Sequence, residues 1–413
     1  MNKKSKNIFI KNFTNLSLNQ GINILIAIVA TPILFQNLGD SQFGLVNLAF
    51  SIFMLISIVV SYGYHLNGPK QISLLNKLEK ESDTIKDIVS LRIFIAIIIS
   101  IVIIALIYLT DFFNGYELII LFSIPILFSE AIHPVFYLQG KNNLSVLAIL
   151  NAFSKLFYLG LIILSIKNQN DAFKVNLLYG SVLSLVFLVY WGLFFYKNKL
   201  KFNFVDLDKI KFRLKENFQF FMSSVAGHIS IHSGIIILKL FVNNSELGRF
   251  ALANRIAFLL RMIPVFIIQS VLQNASIISQ NNPLALNKYL NYYFKRGLIL
   301  TFIIGLFFTV FSKWIILIFS GQEIIYSNQI LSLLSFIPFM AMLNFKNILV
   351  ILVNEKKEIL NNATWISLFI MLPLAFVLSF YYKGFGLAIA LLISEFISFI
   401  VHTILLSKSD VCK

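Results

Sequence analysis

The chain has 413 residues, of which 58% are hydrophobic and 13% charged, with a mean hydropathy of +0.84. A soluble domain averages about 45–50% apolar and about 25% charged residues, so a soluble globular enzyme is excluded. The formal net charge of +16 does not mark a nucleic-acid binder, because the Lys and Arg residues sit in short loops between apolar runs, where they set membrane orientation and attract anionic headgroups.

Lys3, Lys4, Lys6 and Lys11 precede the apolar run from Ile22 to Phe35, an arrangement that imitates a signal peptide. Eleven further apolar segments follow, so the run is expected to be a retained first span. Crossing about 30 Å of hydrocarbon takes roughly 20 residues, and windows of that kind lie near 13–35, 43–65, 88–110, 116–138, 145–166 and 173–196. Six more lie near 218–241, 249–272, 291–312, 328–353, 363–382 and 384–407. These predict an all-α polytopic membrane protein of about twelve transmembrane helices.

The loop after the sixth window carries Lys197, Lys199, Lys201, Lys209, Lys211, Arg213 and Lys215. Cytoplasmic loops hold the excess of Lys and Arg, so both termini are expected in the cytoplasm, with an even number of spans. Lys70, Lys77, Lys80, Lys86, Lys141, Lys288, Lys356 and Lys357 fall on the same side in that arrangement. The basic stretch also marks the midpoint, which suggests an N-terminal six-helix bundle over 1–200, a linker over 201–217 and a C-terminal bundle over 218–413.

An internal repeat points the same way. SQFGLVNLAFSI at 41–52 aligns without gaps to SELGRFALANRI at 245–256, sharing serine, glycine, leucine, alanine and isoleucine. Later in each half a proline-bearing helix runs into a polar turn: Pro125 leads to Gln139, Gly140 and Lys141, and Pro338 leads to Asn354, Glu355 and Lys356. Two pseudo-symmetric bundles are the economical reading, since duplicating an even-numbered unit preserves topology.

Polar residues recur at helical spacing inside these windows. Asn12, Asn15, Asn19 and Asn23 form one amide face in the first, and Asn47, Ser51, Ser61 and His65 form another in the second. Such faces suit hydroxyl-rich ligands; they equally suit hydrogen bonds between helices. Ionisable groups in a bilayer are costly and so are functional candidates. The cations are Lys155, Lys239, Arg255 and Arg261, with Gln269 and Gln273 on the azimuth of Arg255. A guanidinium offers a planar fork to phosphate oxygens, which makes the arginines the better candidates for an anion, with structural pairing or snorkelling to an interface as the alternative for Arg255 and Arg261. Arg249, a step of six before Arg255, is expected at the lip. The acids are Glu130, with His133 one turn on and Lys155 as a potential partner, and Glu395; each suits proton coupling or a structural ion pair. His228 and His232 share a face, but without a carboxylate they do not make a metal site. The only cysteine, Cys412, allows no disulfide, Cys-based metal site or thiol catalysis, so no metal or cofactor is expected.

The motifs Leu38-Gly39-Asp40-Ser41-Gln42-Phe43-Gly44-Leu45, Tyr62-Gly63-Tyr64, Gly68-Pro69-Lys70-Gln71-Ile72 and Pro134-Val135-Phe136-Tyr137-Leu138-Gln139-Gly140-Lys141 follow in order. Leu247-Gly248-Arg249-Phe250-Ala251, Asn354-Glu355-Lys356-Lys357 and Gly384-Phe385-Gly386-Leu387-Ala388 complete the set. The chain thereby resembles the Wzx-type polysaccharide (O-antigen repeat unit) flippases of the multidrug/oligosaccharidyl-lipid/polysaccharide exporter superfamily, although it lacks the tryptophan usual at the end of span four. The resemblance implies a MATE-like exporter fold in a bacterial inner membrane. It also implies a non-enzymatic flippase that carries an undecaprenyl-pyrophosphate-linked oligosaccharide to the outer leaflet by alternating access around a cationic cavity, for O-antigen or capsule synthesis. A polysaccharide polymerase is an implied partner. The rivals are a MATE-type drug or cation antiporter, whose cavity would be acidic and aromatic, and a membrane polymerase or ligase, which needs a long outer loop. A lipid II flippase would have two further helices.

Overall fold

A computed structural model describes the backbone of residues 3–281 and 283–409 and the side chains of 21–22, 24–279 and 285–409. The described residues are helical with no strand, and they form two compact units, Met1–His228 and Ile229–Lys413. Ten helical runs among them are long and apolar enough to cross a membrane, which makes this a multi-pass membrane protein.

The first unit contains α1 (Lys3–Ser61), α2 (Tyr64–Ser73), α3 (Leu78–Leu109), α4 (Glu117–Leu121), α5 (Pro125–Ala131), α6 (Val135–Gly140), α7 (Leu144–Ser165) and α8 (Ala172–Lys197). The next helix, α9 (Leu207–Lys239), begins in the first unit and ends in the second. The second unit continues with α10 (Asn244–Asn281), α11 (Pro283–Val310), α12 (Ser312–Ser320), α13 (Ile325–Leu334), α14 (Ile337–Leu343), α15 (Phe345–Val353) and α16 (Lys357–Ser407).

Two of these helices contain breaks. Within α1, Gly39 has φ 70° and ψ 169°, a region that side chains other than glycine's hardly enter, and Asp40 Oδ1 accepts from the Ser41 N–H at 2.8 Å beside it. Within α16 the break falls at Lys383, at φ 52° and ψ −130°, where its ammonium lies 3.6 Å from Glu246. Each leg on either side of these breaks is about the length of one of the sequence windows.

The two proline-bearing windows share a construction. Each is three short helices in line, α4–α5–α6 in the first unit and α13–α14–α15 in the second. Each closes on a left-handed residue, Asn142 at φ 53° and Glu355 at φ 54°. The N–H that follows then reaches back five residues: Asn143 N donates to Leu138 O at 2.7 Å, and Lys356 N to Ile351 O at 3.0 Å. This recurrence places the same turn at the two polar stretches that mark the repeat.

Within the first unit, α1 packs on α7, α5 on α8 and α2 on α6. Gly180 of α8 meets the backbone of Pro125 and Ile126 so closely that a side chain there would collide with it, the small-residue contact that lets membrane helices approach. In the second unit Val271, Ala275, Leu286, Leu290, Met342, Phe345 and Leu349 form a buried apolar cluster.

Candidate functional site

The first unit holds a cavity of about 200 Å³. Met54 and Ser57 line it from α1, Glu130 from the end of α5 and His133 from the turn after it, Asn151 and Lys155 from α7, and Tyr179, Leu183 and Phe187 from α8. The spacings of three and four within each set put every contribution on a single helical face. Glu130, His133 and Lys155, separated along the sequence, therefore share one site.

Glu130 was expected to find its partner in Lys155; its ion pair is with Arg92 of α3, Nη2 to Oε1 at 2.8 Å. The same guanidinium donates to the carbonyl oxygens of Glu130 and, at 3.3 Å, of His133. Local sequence explains both bonds. In a continuous helix the Glu130 carbonyl would accept from residue 134, which is Pro134 and has no N–H. The Tyr137 N–H goes instead to Pro134 O at 3.1 Å, leaving the His133 carbonyl without its helical donor. Arg92 supplies protons to both acceptors, and its charge lies 5.9 Å from the Phe136 ring centroid. The His133 ring packs on Phe187 at 4.7 Å and hydrogen-bonds Asn151.

In the second unit Arg261 of α10 pairs with Glu395 of α16. Two residues for which separate roles were expected, anion binding and coupling, thus meet in one pair. Arg255 and Gln269 are half-buried on the same α10. Lys239 is the last residue of α9 and hydrogen-bonds Asn244 at the start of α10, so it sits at a helix end. Asn47 donates to the Phe43 carbonyl one turn back at 2.7 Å. The side chains of Asn12, Asn15, Asn19 and Asn23 lie outside the described residues, as does Cys412. No group of three His, Cys, Asp or Glu able to hold a metal occurs among the described residues.

The sequence reading missed Arg92. Its signal was present: Arg92 is the only charged residue in the window 88–110. Asn151 and Tyr179 carried no comparable signal, being ordinary polar residues within apolar helices.

A profile of the family described as Polysaccharide biosynthesis protein matches residues 9–273. A protein of Escherichia coli (strain K12), provisionally named an O-antigen transporter, is 25% identical over 408 residues, covering 93% of each chain. One of the same name from Shigella dysenteriae is 23% identical over 401 residues, covering 93% of this chain and 96% of its own. Among solved structures, an inward-facing multidrug resistance transporter of the MATE family and MOP superfamily matches with a TM-score of 0.71 at 16% identity, over 96% of this chain and 99% of its own. The lipid II flippase MurJ in an inward closed conformation matches with a TM-score of 0.70 at 16% identity, over 97% of this chain and 88% of its own. The fold is that of the MATE-like exporters.

Proposed function

Because this chain belongs to the polysaccharide biosynthesis protein family, we propose that it is a flippase that moves an undecaprenyl-pyrophosphate-linked oligosaccharide repeat unit from the cytoplasmic to the outer leaflet. The names borne by its O-antigen transporter relatives and its likeness to a lipid II flippase support this reading. It is not an enzyme in this reading; the membrane is a bacterial inner membrane, and a polysaccharide polymerase receives the product. The breaks at Gly39 and Lys383 act as turns between spans, which gives twelve crossings with both termini cytoplasmic, in halves 1–200 and 218–413 joined by 201–217.

The observation that carries the mechanism is the pair of arginine–carboxylate contacts. Flipping a sugar headgroup by alternating access needs one group that holds the anionic linkage and a second ligand whose affinity differs between the inward-open and outward-open states. The Arg261 guanidinium fits the pyrophosphate, with Arg255 and Gln269 on the same helix. Glu130, with His133 beside it, fits a proton: ionised while Arg92 holds it, it takes up a proton when that contact loosens. Asn15, Asn19, Asn23 and Asn47 offer amides to sugar hydroxyls, and Glu395 holds Arg261 in place.

The likeness to a MATE-family transporter favours a second reading, export of an organic cation. Purified protein in vesicles separates the two. A fluorescent undecaprenyl-pyrophosphate disaccharide placed in one leaflet should become accessible to an impermeant quencher in the other. Movement of an organic dye cation with no movement of the lipid would establish the drug-export reading instead.

A further inference from the structure

The Glu130 cavity meets, at Ser57, a file of hydroxyl and imidazole groups. Ser57 is buried and lines the cavity. Ser61, also buried, is one turn further on the same face of α1. Its Oγ lies 3.4 Å from His65 Nδ1, and the other ring nitrogen, Nε2, lies 3.4 Å from Ser224 Oγ on α9. His228 is one turn beyond Ser224, with its ring centroid 6.4 Å from that of His65.

Backbone packing fixes this alignment. The chain leaves α1 at Gly63, φ 74° and ψ 0°, where a Cβ would lie 2.5 Å from the Phe221 backbone nitrogen. Tyr62 stacks flat on Phe221 with centroids 4.8 Å apart. Asn217 is fully buried; it donates to the Tyr62 carbonyl and accepts from Asn67 at 2.9 Å. These contacts press the first part of α9 onto the turn between α1 and α2, which brings Ser224 to His65.

We propose that Ser57, Ser61, His65 and Ser224 form a proton path between the Glu130 cavity and the turn joining α1 to α2. The inference rests on the proposed coupling role of Glu130 and adds its route of supply. A proton arriving from the side of the turn reaches the Ser224 hydroxyl, which passes its own to His65 Nε2. His65 then releases the proton on Nδ1 to Ser61. Ser61 hands one to Ser57, and water in the cavity carries it to the carboxylate. One proton is moved in total, and rotation of the hydroxyls with a tautomer exchange at His65 restores the file. Hydroxyls serve here because each both donates and accepts. A cavity of about 200 Å³ has space for several waters, whose share of liquid volume is about 30 Å³ each. The charged and titratable groups acting on His65 are Glu130 from α5, Arg92 from α3 and His228 from α9. Those at Glu130 are Arg92, His133 and Lys155. Glu130 also contributes to the field at His228.

The test uses full-length purified protein without substrate. After a pH jump, time-resolved infrared absorption follows the C=O band of a protonated carboxyl, assigned to Glu130 by its loss in Glu130→Gln. In His65→Phe the same band should form with the same final amplitude but about a hundredfold more slowly, the scale of one positioned acid–base group, and added 4-methylimidazole should restore the rate. Ser61→Ala, a smaller change, should slow it without rescue by imidazole. An unchanged rate in both variants would overturn the path. Absence of any band lost in Glu130→Gln would overturn the coupling role itself, a distinguishable failure that removes the path with it.

Discussion

Each unit contains an arginine–glutamate pair that joins two different helices, Arg92–Glu130 and Arg261–Glu395, and the two pairs are turned opposite ways. In the Arg92–Glu130 pair the cation is hidden, its side chain 1% accessible, while the carboxylate is 28% accessible and borders a cavity. In the Arg261–Glu395 pair the guanidinium is 37% accessible and the carboxylate 15%. The first pair presents an acid backed by a buried base; the second presents a base backed by a less exposed acid. An accessible carboxylate can exchange a proton, and an accessible guanidinium can hold phosphate oxygens. The same two residue types thus serve two chemistries, decided by which partner the packing covers.

The largest predicted difference is in stability. Arg92→Met leaves the Glu130 carboxylate and the His133 carbonyl oxygen without the guanidinium that donates to them, and breaking a buried pair from one side costs about 3–5 kcal/mol. Its thermal midpoint in detergent and its membrane abundance should both fall sharply. Arg261→Met removes a half-accessible partner and should cost about 1 kcal/mol or less. Equal losses in the two variants would end the distinction between them.

Transport should reverse that order among variants that remain folded. Arg261→Ala is expected to retain its membrane abundance while lipid flipping falls about tenfold, the effect of losing about 1.4 kcal/mol of charge-assisted binding. Arg261→Lys should recover only part of it, since an ammonium lacks the planar fork. The smallest predicted contrast concerns the lysines. Lys155 borders the Glu130 cavity and Lys239 closes a helix end, so Lys155→Gln should slow flipping a few-fold. Lys239→Gln should change stability by no more than about 0.5 kcal/mol and leave transport intact.

The helices were legible because crossing a bilayer takes about 20 apolar residues, whatever lies around them. The windows 145–166 and 173–196 fall almost on α7 and α8. The division of 116–138 into three short helices was less so, because Pro125 and Pro134 mark interruptions without fixing the turn geometry between them. Glu130 stood out as a candidate from its cost in a membrane, and His133 as its neighbour one turn on. The partner of Glu130 was not: proximity in sequence pointed forward to Lys155, but Pro134 takes the helical donor from the Glu130 carbonyl, and Arg92, 38 residues earlier, donates to it. A pairing direction of that kind depends on the azimuth of each helix in the bundle, which periodicity alone leaves open.

The division of labour between the two pairs is tested most directly by flipping in vesicles under an imposed pH gradient, comparing wild type, Glu130→Gln and Glu395→Gln. The account predicts that Glu130→Gln still equilibrates the lipid between leaflets but no longer responds to the gradient, whereas Glu395→Gln keeps the gradient response at a reduced overall rate. Full gradient-driven accumulation by Glu130→Gln would contradict it and leave Glu130 as a structural partner of Arg92.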